Sequence, residues 1–179
     1  RMNQDQELTA KQVVNDYEED RLEFIFKAYA DIRNARLVAR KIVEARAEKE
    51  IQTTTHLIDI VKLLTTFKKE NQFLAQIFQA IRIEVNQELE VLKTFLEAAK
   101  ELLNPGGRLV IISYHSLEDR LVKNFIKKGK FEGEVEKDFY GNLLVDLKDI
   151  SRKAIVPSDQ EIELNSRARS AKMRIAEKK

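Results

Sequence analysis

The stretch Ser113-Tyr114-His115-Ser116-Leu117-Glu118-Asp119-Arg120 gathers two hydroxyls, a phenol, an imidazole, two carboxylates and a guanidinium into eight residues. A hydrolase would use Ser116 as nucleophile and His115 as base, with a carboxylate to orient the imidazole. Adjacent residues on one turn rarely align those three roles, and Ser116 is also well placed to cap a helix. A metal centre on His115 with Glu118 or Asp119 lacks a further convergent ligand, and His56 with Asp59 lacks a third ligand too. The expected metal set is therefore empty. What remains is a polar edge facing a ligand.

Its neighbours show how that edge is positioned. Pro105-Gly106-Gly107 makes a turn, and Leu109-Val110-Ile111-Ile112 then forms an uninterrupted apolar run. Such a run predicts a strand of a parallel sheet, buried on both faces. The polar residues follow its C-terminal end, where open α/β sheets bind ligands. Ser116 with Asp119 predicts an N-cap, and Leu117, Leu121, Val122, Phe125 and Ile126 make the apolar face of a helix. Lys127-Lys128-Gly129-Lys130 closes that helix, as the macrodipole favours. Only Asn142 to Leu147 and Ser170 to Ala176 look extended elsewhere. Two such segments are too few neighbours, so the strand is expected to belong to a larger sheet.

Upstream, the pattern is helical. Thr9-Ala10-Lys11-Gln12 reads as a capping box, and Glu18-Glu19-Asp20 opens a second helix with Leu22, Ile25, Phe26 and Tyr29 inward. A third helix is expected from Asp31 to Glu50. Thr53 caps a fourth, with Leu57, Ile58, Val61, Leu63 and Leu64 as its buried stripe. Phe67 to Phe73 reads as a polar break, and Ala75 to Leu103 as one long helix.

The chain has 179 residues, 43% hydrophobic and 35% charged, with a formal charge of +2. That balance suits a soluble, largely helical protein. The absence of cysteine excludes disulfides, thiolate catalysis and cysteine–zinc clusters, and suits a reducing compartment. No apolar run approaches a membrane span, so no membrane partner is expected. Residues 151–179 carry 8 basic and 4 acidic side chains, against 24 and 26 in residues 1–150. A basic end of this kind suits phosphate, although a solvated face has the same composition.

Ile111-Ile112-Ser113-Tyr114-His115-Ser116-Leu117-Glu118-Asp119-Arg120 closely resembles the signature of the MraW, or RsmH, family. Leu8-Thr9-Ala10, Thr53-Thr54, Phe78-Gln79-Ala80-Ile81-Arg82-Ile83-Glu84-Val85-Asn86 and Arg167-Ala168-Arg169-Ser170-Ala171-Lys172-Met173-Arg174 agree with it in order. The chain departs from the family pattern at Ala30-Asp31, at Phe73-Leu74-Ala75-Gln76-Ile77 and at Ser166.

The resemblance implies an S-adenosylmethionine-dependent methyltransferase acting on the exocyclic amine of a cytidine in small-subunit ribosomal RNA, in the cytoplasm. It implies an α/β fold: the C-terminal part of a Rossmann-like methyltransferase sheet (75–179) and an all-helical insert domain for substrate recognition (1–74). Arg1-Met2 would end the element after the catalytic loop, and Arg108 to Tyr114 would be the sheet's fifth strand. Ser113, Tyr114 and His115 are expected to line the substrate edge, Ser116, Glu118, Asp119 and Arg120 to brace the loop, and Arg82, Arg167, Arg169 and Lys172 to contact the RNA. No cofactor-binding residue is expected within this chain, because the glycine-rich methyl-donor loop lies upstream in the family. The fragment alone is expected to be inactive. A homodimer is a further candidate assembly, and the competing reading is a non-enzymatic helical module for RNA binding or dimerisation.

Overall fold

A computed structural model describes residues 7–141 and 143–179. The readings placed on Arg1-Met2 and on Asn142 fall outside the described residues. The chain divides into two compact units, one ending at Glu88 and the other running from Leu89 to Lys179.

The first unit is helical: α1 (Ala10–Asp16), α2 (Glu19–Ala30), α3 (Ala35–Glu48), α4 (Thr54–Val61) and α5 (Glu70–Asn86). The expected capping box is present, with Thr9 Oγ1 accepting from the Gln12 N–H and Gln12 Oε1 accepting from the Thr9 N–H. The Thr53 hydroxyl caps α4 in the same manner, accepting from the His56 N–H. The third helix starts four residues later than its pattern suggests. Asp31 ends α2 in the left-handed region, at φ 51°, and a turn intervenes before Ala35. Leu22, Ile25 and Phe26 of α2 pack with Val38, Ala39 and Ile42 of α3 and with Ile77 and Ala80 of α5 into one core. Burial of each large aliphatic side chain there is worth about 2 kcal/mol.

Three expectations are corrected in this unit. Leu63 is 81% exposed rather than part of the α4 stripe, because the chain tightens into a 3-10 turn at Lys62–Leu64 and rotates it outward. The segment from Phe67 holds a second 3-10 turn, Phe67–Lys69, and α5 begins at Glu70, with Phe73 already buried. The long helix is two helices: Gln87 adopts φ 51° and separates α5 from α6 (Glu88–Leu102). Periodicity carries through such a break because apolar residues resume at compatible spacing.

The second unit contains most of α6, then β1 (Arg108–Ser113), α7 (Ser116–Lys128), β2 (Leu147–Asp149), α8 (Asp159–Leu164) and β3 (Lys172–Lys178). The fold is thus mixed α/β, mostly helical, with a three-stranded sheet in the order β1-β3-β2. β3 pairs antiparallel with both neighbours, so β1 and β2 run parallel to each other and are linked across α7. Leu109 lies opposite Ala176 and Ser113 opposite Lys172. Leu96, Leu109, Val122, Phe125, Ile126, Leu147 and Ala176 form the core.

The expectation of a strand buried on both faces is not met here. Leu109 and Ser113 are buried, but Val110 and Ile112 are more than half exposed, and β1 has one paired edge among the described residues. The second strand also begins later than the pattern suggests, since Leu143 makes only an isolated bridge with Lys137. Gly107 is required at the entry to β1: a Cβ there would meet the Asn104 carbonyl oxygen at 2.8 Å. Ser116 is not the N-cap of α7. His115 holds that position in extended conformation, and Ser116 is the first helical residue.

Candidate functional site

β1 ends at Ser113, whose side chain is buried and donates to the Lys172 carbonyl oxygen of the paired strand at 3.4 Å. Tyr114 follows with its ring exposed, and its N–H donates to Oε2 of Glu118 at 3.0 Å. This bond closes the turn that leads into α7, which has no side-chain cap on its first N–H groups. His115 lies between them, 14% exposed, with Nε2 3.1 Å from Oε1 of Glu118. That approach is close enough for an ion pair but lacks hydrogen-bond alignment. Both ring nitrogens are buried without a hydrogen-bond partner among the described residues.

Ser116 is exposed and makes no hydrogen bond to His115, so the nucleophile–base contact of a hydrolase is not formed. Asp59 is engaged by Lys62, which leaves the His56–Asp59 pair as ordinary helix surface.

Beneath the loop, Asp119 turns back to the sheet. Its two carboxylate oxygens accept from Nε and Nη2 of Arg174 at 2.6 and 3.2 Å, and Lys172 Nζ stands 3.7 Å away. Burial alone would raise the Asp119 carboxyl, but Arg174, Lys172 and Lys123 outweigh it and hold the group below its ordinary value. The same contest holds for Glu118. Burial pushes it up, and the His115 imidazole with the Tyr114 N–H brings it below the usual range. Both carboxylates are therefore ionised at neutral pH and fix the first turn of α7 to the strand ends. Arg120 is exposed and joins neither contact.

Sequence reasoning singled out Arg167, Arg169 and Lys172 but overlooked Arg174. The signal was there: Arg174 alternates with the buried Ala176 on the core-facing side of β3, a position that demands a partner for a charged group. Arg167 and Arg169 sit on the exposed side of the 3-10 turn Ser166–Ser170. The buried Ala168 and the Asn165 side chain, which accepts from the Arg167 N–H at 3.2 Å, hold that turn in place. Neither arginine meets a carboxylate among the described residues, which leaves both free for an anion.

In the helical unit Arg82 is held by both oxygens of Glu88, at 2.9 and 3.2 Å. Two residues further along, Glu84 is a buried carboxylate that the spacing did not flag. It accepts from the Tyr17 hydroxyl at 2.9 Å and from Arg21 Nη2 at 2.7 Å, tying α5 to the start of α2.

The model of the MraW methylase family matches residues 1–179, the whole chain. The chain belongs to the MraW methylase family. Among curated relatives, "Ribosomal RNA small subunit methyltransferase H" of Flavobacterium johnsoniae is 58% identical over 99% of this chain and 59% of its own length. The protein of the same name from Christiangramia forsetii is 57% identical over the same shares. That of Bacteroides thetaiotaomicron is 53% identical over the full chain and 59% of its own length. The chain therefore spans about three-fifths of the length of these relatives. Among the described residues no helix is long and apolar enough to cross a membrane.

Proposed function

We propose that this chain is part of a cytoplasmic, S-adenosylmethionine-dependent methyltransferase that modifies the exocyclic amine of a cytidine in small-subunit ribosomal RNA. The observation that carries this reading is the loop after β1. Its family signature coincides with a strand end where Ser113 and the His115 imidazole, which lies against Glu118, are held in place by the Asp119–Arg174 pair. The names of the relatives supply the substrate class.

The residues present do not make a site for the methyl donor. Gly106 and Gly107 precede β1, Gly129 ends α7, and Gly133 and Gly141 lie in the following loop, so no glycine loop stands at the C-terminal end of a strand. This chain's contribution is to the acceptor. A cytosine amine needs acceptors for its protons so that its lone pair is freed, and it needs the base held out of any stack. Ser113 donates its proton to the Lys172 carbonyl and keeps lone pairs available, and a neutral His115 offers one acceptor nitrogen. Tyr114 stands exposed beside them. Arg167, Arg169 and Lys172 bind RNA phosphate, and Arg82 exchanges its Glu88 contact for the same purpose.

In this reading Val110, Ile112 and the open edge of β1 are covered by strands of the upstream segment, completing a Rossmann-like sheet in which β1 is an inner strand. The helical unit, with sequence-read limits 1–74, is then the substrate-recognition insert of that fold, and the intact enzyme assembles as a homodimer.

The test compares the 179-residue chain with the same chain joined to the upstream segment of the Flavobacterium johnsoniae relative. Calorimetry with S-adenosylmethionine and methylation of small ribosomal subunits are read for each. Binding and transfer by the joined protein alone are expected. Turnover by the short chain would overturn the expectation that it is inactive alone, and RNA binding with no transfer by the joined protein would favour the non-enzymatic module instead.

A further inference from the structure

Phe139 and Tyr140 stand side by side with 97% and 86% of their surfaces in solvent. Their rings meet edge to face, with centroids 5.6 Å apart. They sit at the tip of a short hairpin in which Lys137 bridges Leu143 and the Leu144 N–H donates to the Glu136 carbonyl oxygen at 2.9 Å. The tip is a closed turn. The Gly141 N–H donates to the Asp138 carbonyl oxygen, the Tyr140 N–H donates to the Asp138 carboxylate, and Gly141 takes up φ 85°.

The root of the hairpin is fastened to α7. Phe131 stacks on the buried Phe125, its carbonyl oxygen accepts from the Asn124 amide at 2.9 Å, and Lys128 Nζ donates to the Gly133 carbonyl oxygen. Lys130 pairs with Glu136 across the base. An aromatic pair displayed on an anchored turn loses little conformational freedom when a partner covers it, and aromatic rings presented in this way serve as anchors of protein interfaces.

Charge decides between partners. Residues 131–141 carry Glu132, Glu134, Glu136 and Asp138 against the single Lys137, the reverse of the basic balance in residues 151–179. The phosphates of RNA or of an anionic membrane are repelled from a tip flanked in this way, whereas a cationic polypeptide is drawn to it. Proteins that lie along RNA neutralise its phosphates with lysine and arginine, so surfaces of that chemistry stand beside the RNA substrate.

We propose that the Phe139–Tyr140 tip docks on a lysine- and arginine-rich segment of a protein bound to the small-subunit RNA. The two rings pack on the aliphatic stems of that segment, and the carboxylates behind them face its cationic heads. The inference rests on the RNA reading above and adds a protein contact to it, distinct from the Ser113–His115 loop and from the basic residues assigned to phosphate.

The chain joined to its upstream segment is titrated with intact small ribosomal subunits and, separately, with small-subunit RNA stripped of protein. The double variant Phe139→Ser with Tyr140→Ser is expected to bind the subunits about tenfold more weakly and the stripped RNA as the parent does. Its thermal melt should match the parent's, because neither ring is buried in a core. A benzophenone-bearing amino acid in place of Phe139 should crosslink to a basic protein of the subunit. Equal losses on the two ligands, or a crosslink to RNA alone, would make the tip an RNA contact and overturn the proposal, and unchanged binding to the subunits would overturn it as well. If the joined protein transfers no methyl group while the double variant still loses subunit binding selectively, the methyltransferase reading falls and the docking tip stands.

Discussion

The guanidinium of Arg174 and the carboxylate of Asp119 meet in two parallel hydrogen bonds, with side chains only 8% and 13% exposed. One residue belongs to the central strand of the sheet and the other to the first turn of α7, so the pair fixes the His115 loop against β3. Arg174→Ala leaves a mostly buried carboxylate without its main partner and should cost about 3–5 kcal/mol in urea unfolding. Arg174→Lys should recover little, because an ammonium cannot reproduce the fork. The double variant Asp119→Leu with Arg174→Met should lie closer to the parent than either single change.

Acid should weaken the same region. Asp119 and Glu118 both have folded values below their ordinary ones, despite burial pushing the other way. A depressed carboxyl stabilises the fold fully above its unfolded pKa, and that contribution is lost as pH falls through the folded value. Denaturant midpoints should therefore hold near neutrality and begin to drop below about pH 4 to 5. The slope should be shallower in Asp119→Asn, already destabilised at neutral pH.

Glu84 makes a parallel prediction for the helical unit. Arg21→Ala takes a half-exposed cation from the buried carboxylate, which keeps its Tyr17 bond, and should destabilise by about 1–2 kcal/mol, and Glu84→Gln in that background should restore part of the loss. Burial first, and then the Glu84 carboxylate, raises the Tyr17 phenol above its ordinary value. Glu84→Gln should bring the Tyr17 phenolate transition down in an ultraviolet pH titration.

Gln87 offers a stabilising change. It closes α5 in the left-handed region, where a side chain is unfavourable and glycine is at ease. Gln87→Gly should raise stability by up to about 1 kcal/mol, whereas Thr9→Ala, which removes the hydroxyl arm of the α1 capping box, should lower it by about as much. Thermal melts of the two variants should move in opposite directions.

Local signals carried well from sequence to structure. The caps at Thr9 and Thr53, the inward residues of α2 and the strand–loop–helix order around Ser113 are all nearest-neighbour chemistry, and each is where the pattern puts it. What the pattern missed depends on a single backbone angle or on a distant partner. The turns at Asp31 and Gln87 break helices without disturbing apolar spacing. Ser116 loses its cap role because the helix begins one residue earlier than the capping pattern implies, with His115 at the N-cap position. Arg174 was read past because its partner lies 55 residues away in the chain, where periodicity has no view.

The most direct measurement is nucleoside mass spectrometry of small-subunit ribosomal RNA after incubation with S-adenosylmethionine and the chain joined to the upstream segment of its Flavobacterium johnsoniae relative. The account predicts one new methylated cytidine, none from the 179-residue chain alone, and a loss of at least about a hundredfold in rate with His115→Ala while the protein remains folded. Unmodified RNA from the joined protein, or undiminished methylation by the His115→Ala variant, would contradict it.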